Sequence, residues 1–274
     1  MTRLHDPTTN DVVPGGPGGP GDAESAQMFV NDIPFGFDVS ESDNEVVGDA
    51  TITDALRPPG SELPWASVLA TIADCVTGVP ACLATTPRLA VTLDIVVLNV
   101  AARCGDHLEI VGEIIKRGRS TVAGEVRFTD ARTKALVALS YVTFMASPRP
   151  QDQAPPMHRG MRTTGSMTTP FPEFVGVHTV APGVAEVDLV HFVMQASNTL
   201  QGGVFGLLAE VAAESLTQSP VLDLDIRYLS AVRVGPGRAT ATLLGNDLVR
   251  VEVRDRGSDD RLASLIFLRV ASAG

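Results

Sequence analysis

The stretch Asn198-Thr199-Leu200-Gln201-Gly202-Gly203-Val204-Phe205-Gly206-Leu207-Leu208-Ala209-Glu210 brings together residue types that acyl chemistry requires. Gly202 and Gly203 stand where a helix should begin, and the unpaired N–H groups and positive dipole end there favour developing negative charge. Without a β-carbon, glycine also lets a ligand carbonyl approach the backbone closely. Glu210 follows about two turns later along the same face. Donors plus a carboxylate supply an oxyanion site and a general base or nucleophile. The spacing equally suits a plainer arrangement, with Glu210 and Glu214 marking a solvated helix face and Gly-Gly a simple turn. The apolar neighbours Leu207, Leu208 and Val211 favour a mostly buried helix.

An altered copy lies upstream, in Glu62-Leu63-Pro64-Trp65-Ala66-Ser67 followed by Asp74. Counted back from the carboxylate, Trp65, Ala66 and Ser67 stand opposite Gln201, Gly202 and Gly203. Asp74 sits among Ile72, Ala73, Cys75 and Val76, so partial burial is expected, and a buried carboxylate needs a reason. It marks either a second site, degenerate or differently specific, or a capped structural aspartate left by duplication.

The elements that must position these groups repeat. Each half opens with a short strand, Glu45 to Ile52 and Gly183 to His191. A helix follows, Leu63 to about Ala84 and Leu200 to about Thr217. The first half then has β-rich runs at Ala90 to Val100, His107 to Lys116, Ser120 to Thr129 and Ala135 to Met145. The second has them at Leu222 to Val234, Gly237 to Leu244, Leu248 to Asp255 and Leu262 to Val270. Alternation of period two and β-branched residues mark the strands, with Gly, Asn and Asp at the turns. Leu93-Asp94-Ile95-Val96-Val97-Leu98 echoes Leu224-Asp225-Ile226-Arg227-Tyr228-Leu229, so the chain reads as a duplicated domain. One apolar helix against a run of antiparallel strands is an α+β pattern. Residues 1–30, centred on a Pro/Gly run, read as a disordered tail. The domains are then 31–147 and 171–274, with a proline-rich linker at 148–170.

The net charge of −11 disfavours a nucleic-acid partner. Cys75, Cys82 and Cys104 form no CxxC pair, and with no export signal in view they suggest structural thiols in a reducing cytoplasm. No apolar run is expected to span a bilayer, so no membrane partner is expected and the protein reads as soluble. The five histidines show no metal-ligand spacing, and there is no P-loop, dinucleotide fingerprint or GxSxG elbow. No metal or other cofactor is expected. Asp94 and Asp225 occupy equivalent strand positions and take a structural role by default.

Asn198, Gly202, Gly203 and Glu210 resemble the helix start of the hot-dog acyl-CoA thioesterases, in the phenylacetate-pathway-like branch. That family shows Asn, then His-Gly-Gly, then Asp or Glu two turns on; here Gln201 replaces the histidine. The resemblance covers most of residues 173–274. It implies two tandem hot-dog domains, each a long central helix wrapped by a curled antiparallel sheet, packed as an intrachain pseudo-dimer. It also implies hydrolysis of an acyl-CoA thioester in lipid metabolism, with the Gly202 N–H on the carbonyl and Glu210 as base or nucleophile. Gln201 and Asn198 would orient substrate or water, and Asp74 would serve the second site. Gly203, Trp65 and Ser67 would contact substrate, Trp65 by filling the acyl pocket. Arg117 and Arg119, in Lys116-Arg117-Gly118-Arg119-Ser120, would meet coenzyme phosphates, as would Arg227, Arg233 and Arg238. Solubilising roles suit each of these arginines as well. A binding protein for acyl-CoA or fatty acids and an acyl-CoA dehydratase are the competing readings. Further association into homo-oligomers is open.

Overall fold

The computed structural model describes residues 28–149, 154, 157–195 and 197–271. The first half holds β1 (Phe35–Val39), β2 (Glu45–Thr51), α1 (Ala66–Thr85), β3 (Ala90–Asn99), β4 (His107–Arg117), β5 (Thr121–Asp130), β6 (Leu136–Ala146) and β7 (Gly160–Arg162). The second half holds the short α2 (Phe171–Val175), β8 (His178–Ala181), β9 (Val184–Val187), β10 (Met194–Gln195), β11 (Thr199–Leu200), α3 (Gly202–Thr217), β12 (Val221–Tyr228), β13 (Gly237–Leu243), β14 (Leu248–Asp255) and β15 (Arg261–Val270). Most strands alternate buried and exposed residues, as expected where one face packs against a helix and the other meets water.

Thirteen strands form one antiparallel sheet in the order β7-β1-β2-β4-β5-β6-β3-β12-β15-β14-β13-β9-β8. Its centre is the pairing of β3 with β12, which sets Ile95 opposite Ile226. These are equivalent residues of the Leu-Asp-Ile echo. An approximate two-fold axis therefore passes between them and relates the two halves. From that axis outwards β3-β6-β5-β4-β2-β1 and β12-β15-β14-β13-β9-β8 run in matching succession, with β7 an added edge strand on the first half, and each set curls around its own helix. The core is one continuous cluster in which Leu69, Ile72 and Val76 of α1 and Val204, Leu207 and Leu208 of α3 are fully buried.

Four sequence expectations change. The stretch read as a linker contains β7, which pairs with β1 from Gly36↔Arg162 to Asp38↔Gly160. Of the expected tail, residues 1–27 lie outside the described ones, and Phe29 and Val30 are core residues, Phe29 packing on Phe171 and Phe192. Strand β12 stops at Tyr228 rather than reaching Val234, because residues 229–236 leave the sheet to form a loop. Helix α1 is long and apolar enough to cross a bilayer by length and composition, since Thr, Gly and Pro dilute its hydropathy little; most of it is buried inside the protein.

Candidate active site

Helix α3 begins at Gly202, with Gln201 as its N-cap, and the Gln201 Oε1 accepts the Gly203 N–H at 2.6 Å. An amide oxygen thereby satisfies one of the orphan donors of the first turn. Tyr228, on β12, donates its hydroxyl to the Gly202 carbonyl at 2.9 Å and stacks edge-on against Phe205. Among the described residues no hydrogen bond engages the Gly202 N–H. Gly203 is dictated by packing: a β-carbon there would lie 1.8 Å from Thr71 Oγ1 on α1. The two helices thus meet almost backbone to backbone, and this approach brings side chains of α1 to the N-terminus of α3.

The side chain that arrives is Asp74. Its Oδ2 lies 3.5 Å from where a β-carbon on Gly202 would stand, and its Oδ1 accepts the Thr92 hydroxyl at 2.8 Å. Burial raises the Asp74 carboxyl to about 6, against the stabilising Thr92 hydrogen bond. The residue remains partly exposed. Burial, followed by the charges of Asp74 and Asp94, pushes the Tyr228 phenol well up, so it stays a neutral donor.

The two-fold relation predicts a reverse crossing, and it occurs. Glu210 of α3 reaches the N-terminus of α1, where its two oxygens accept the Ala66 N–H at 2.8 Å and the Ser67 N–H at 2.9 Å. Glu210 is 1% exposed. Burial raises its carboxyl to about 8. The structure therefore does not bring Glu210 to Gly202, as spacing along one helix had suggested. Two turns carry Glu210 about 12 Å down the axis from Gly202, and helix packing across the two halves supplies Asp74 there instead. At the second junction the helix donors are already taken by a side chain of the protein itself.

The remaining candidates fall in several places. Asn198 is exposed, in the turn between β10 and β11, with φ 55°, a left-handed backbone that asparagine tolerates. Ser67 is fully buried at the second junction, directly against the Glu210 carboxyl that its N–H engages. Trp65, the α1 N-cap, lines a cavity of about 910 Å³. Arg117 and Arg119 border a cleft of about 300 Å³ with Arg88, Thr85 and Thr86 at the far end of α1. That end is about 16 Å along the helix from Asp74. Arg227 is held between Asp94 at 3.6 Å and Asp225 at 2.9 Å, and Arg238 pairs with Glu186, so neither is a free cation. Arg233 is exposed. Thr92 and Tyr228 belong to the site yet were not singled out in the sequence. The echo that pairs β3 with β12 was the signal that both strands border the helix junction. Among the described residues no three His, Cys, Asp or Glu side chains converge as a metal-holding group.

No family model and no curated protein matches the chain. Solved structures do. An acyl-ACP thioesterase from Bacteroides thetaiotaomicron superposes with a TM-score of 0.60 at 9% identity, covering 85% of this chain and all of that one. The 12:0-ACP thioesterase from Umbellularia californica gives a TM-score of 0.58 at 10% identity, over 84% of this chain and 98% of its own. A hot-dog protein of unknown function from Alicyclobacillus acidocaldarius gives 0.53 at 12% identity, over 91% of this chain and all of its own. At such identities the likeness establishes architecture and leaves function to the site. A long helix wrapped by curled antiparallel strands, matched along these proteins, is the hot-dog fold.

Proposed function

We propose that the protein hydrolyses acyl thioesters, and that its two halves are tandem hot-dog domains acting as an intrachain pseudo-dimer with one working site. The observation that carries this reading is the Asp74 carboxylate of one half standing against the N-terminus of α3 from the other. In the proposed reaction the Gly202 N–H and the positive helix end polarise the thioester carbonyl. Asp74, held through Oδ1 by Thr92, uses Oδ2 to take a proton from the attacking water or to attack the carbonyl itself. The tetrahedral oxyanion, held at the helix end, re-forms its carbonyl as the C–S bond breaks. In the base route the leaving thiolate takes the proton from Asp74; in the nucleophile route water then hydrolyses the acyl-Asp74 anhydride to the free acid and restores the carboxylate. Tyr228 and Gln201 hold the carbonyl and the N–H of the Gly202–Gly203 peptide, and so steady the adjoining residue that carries the Gly202 N–H. No metal or redox group enters the proposed reaction, and the cytoplasm is its proposed location.

Three supports are independent: the site geometry, the resemblance of the Gly202-Gly203 helix start to the acyl-CoA branch, and the fold shared with proteins described as acyl-ACP thioesterases. The thiol carrier, coenzyme A or a carrier protein, is the variable. The test is thiol release from matched acyl-CoA and acyl-carrier-protein substrates of short, medium, long and aromatic acyl groups. Hydrolysis that collapses in Asp74→Asn and persists in Glu210→Gln supports the reading. Undiminished turnover in Asp74→Asn overturns the assignment of the base, and saturable binding without hydrolysis makes this a binding protein.

A further inference from the structure

A cavity lies beside the second junction, and its lining differs from that of a site built for an acyl thioester. Its floor and walls are Trp65, Val177, Val211, Pro58 and Pro172, with Glu214 and Ser215 from the last turns of α3. At about 910 Å³ it is of the size that holds a drug-sized ligand. Trp65 occupies the position equivalent to Gln201, and Glu214 lies one turn beyond Glu210. The cavity thus opens at the two-fold counterpart of the proposed catalytic junction, where Glu210 already occupies the helix donors.

Charge selects the ligand. The partly buried Glu214 looks into the cavity, its Oε1 engaged only by a long 3.4 Å contact from the Val221 N–H. Asp54 and Glu173 stand exposed on the rim. The arginine of the lining is spent: Arg57 is fixed by the Glu62 and Gly105 carbonyls and by Asp106. His178, also on the rim, completes the titratable lining. A fatty carboxylate or a coenzyme phosphate would meet three carboxylates and no free arginine. An ammonium head would find those carboxylates beside the indole of Trp65, while its apolar body covered proline and valine.

We propose that this cavity is a second ligand site, distinct from the Asp74 junction, which binds apolar molecules carrying a single ammonium group. Trp65 forms the cation-facing wall, Glu214 the inner counter-charge, and Asp54 and Glu173 the outer one. The site stands apart from the hydrolase reading, because none of these four side chains enters the proposed reaction.

Trp65 is the only tryptophan of the chain, so its fluorescence reports on this cavity alone. The experiment titrates the full-length protein with octylamine, 1-octanol and octanoate, each below its aggregation limit, at about pH 8, where the carboxylates and the amine are charged. The expected result is a saturable change in Trp65 emission with octylamine, at least about tenfold tighter than with octanol and absent with octanoate. Glu214→Gln should weaken octylamine binding about tenfold or more. The exposed double variant Asp54→Asn/Glu173→Gln should weaken it severalfold and lower its salt dependence, which tests the charge argument without touching the interior. Asp74→Asn should bind octylamine like the wild type, so failure here and failure of the hydrolase reading are separable. Octanol or octanoate binding as tightly as octylamine, or no saturable change with octylamine, overturns the proposal.

Discussion

Asp74 leaves α1 and ends against Gly202, the first residue of α3, while Glu210 makes the return crossing to Ala66 and Ser67. One geometric relation thus produces two chemically unlike junctions. At the first, the carboxylate is tied by a single hydroxyl and stays partly exposed. At the second, both oxygens are consumed by backbone donors in the dry interior. A carboxylate already bound to the helix end cannot also leave that end open for a substrate oxygen. The asymmetry follows from Gly202 standing opposite Ala66 and from Gln201 standing opposite Trp65.

Neutralising the two acids should therefore separate catalysis from stability. Asp74→Asn is expected to lower kcat by about 10²-fold or more, the usual scale for loss of a general base. Glu210→Gln is expected to change kcat less than about tenfold but to destabilise the fold by about 1–3 kcal/mol. An amide offers one acceptor where two N–H groups must be satisfied, and it turns a donor toward the other. Steady-state kinetics and denaturant melts on the two variants check both halves of this statement.

The pH dependence has a definite sign. Asp74 must be ionised to act and is raised to about 6, so kcat/KM should climb with unit slope below about pH 6 and level off above it. For stability the raised value means that the folded state holds its proton more tightly than the unfolded chain. The protonated form is favoured in the fold, and that contribution is lost as pH rises from the ordinary value of 3.8 through about 6. Asp74→Asn should therefore be more stable than wild type at neutral pH, by at most about 3 kcal/mol given its partial exposure. Thermal melts at acid and neutral pH, with the gain appearing only at the neutral one, test the sign directly.

Much of this was legible in the sequence, for reasons that can be named. Strands β4, β13, β14 and β15 lie where alternation and turn residues placed them, since a half-buried strand writes its period directly into the chain. The Leu-Asp-Ile echo was visible as well, and its two copies turn out to lie side by side, with Ile95 opposite Ile226. The partner of Gly202 was not legible. Spacing along a helix shows which residues share a face and says nothing of which side chain arrives from another helix. Thr92 and Tyr228 were hidden for the same reason, because their roles exist only once β3 and β12 flank the helix junction. Strand β7 was missed because three residues in a proline-rich stretch carry no period, and an edge strand needs none.

The contact between Gly203 and Thr71 makes a packing prediction. In Gly203→Ala the new β-carbon would stand 1.8 Å from Thr71 Oγ1 and 2.9 Å from its Cβ, so the helices must separate. A loss of about 2–4 kcal/mol is expected, at the upper end of ordinary overpacking. Activity should fall as well, because the separation carries Asp74 away from Gly202. Thr71→Ala removes the closer of the two clashing atoms, so the double variant should regain part of the stability lost by Gly203→Ala alone. Additive losses in that double-mutant cycle, measured by denaturant midpoints, would show that the two residues do not set the helix spacing.

Tyr228 offers the finest test of the site, because it acts on the peptide rather than on the substrate. Its hydroxyl donates to the Gly202 carbonyl and so fixes the first peptide of α3. Tyr228→Phe keeps the ring, its edge contact with Phe205 and its burial, and deletes one hydrogen bond at a cost of about 1 kcal/mol. With the peptide free to rock, the helix end presents its donors less uniformly to the oxyanion. The expected result is a drop in kcat of about threefold to thirtyfold with KM nearly unchanged, the pattern of an interaction felt mainly in the transition state. The acid limb of the pH profile should keep its midpoint near that of the wild type, since Thr92 still holds Asp74. A purely structural tyrosine would lower the melting temperature and leave kcat at a permissive temperature intact, and kinetics well below the melting point distinguish the two.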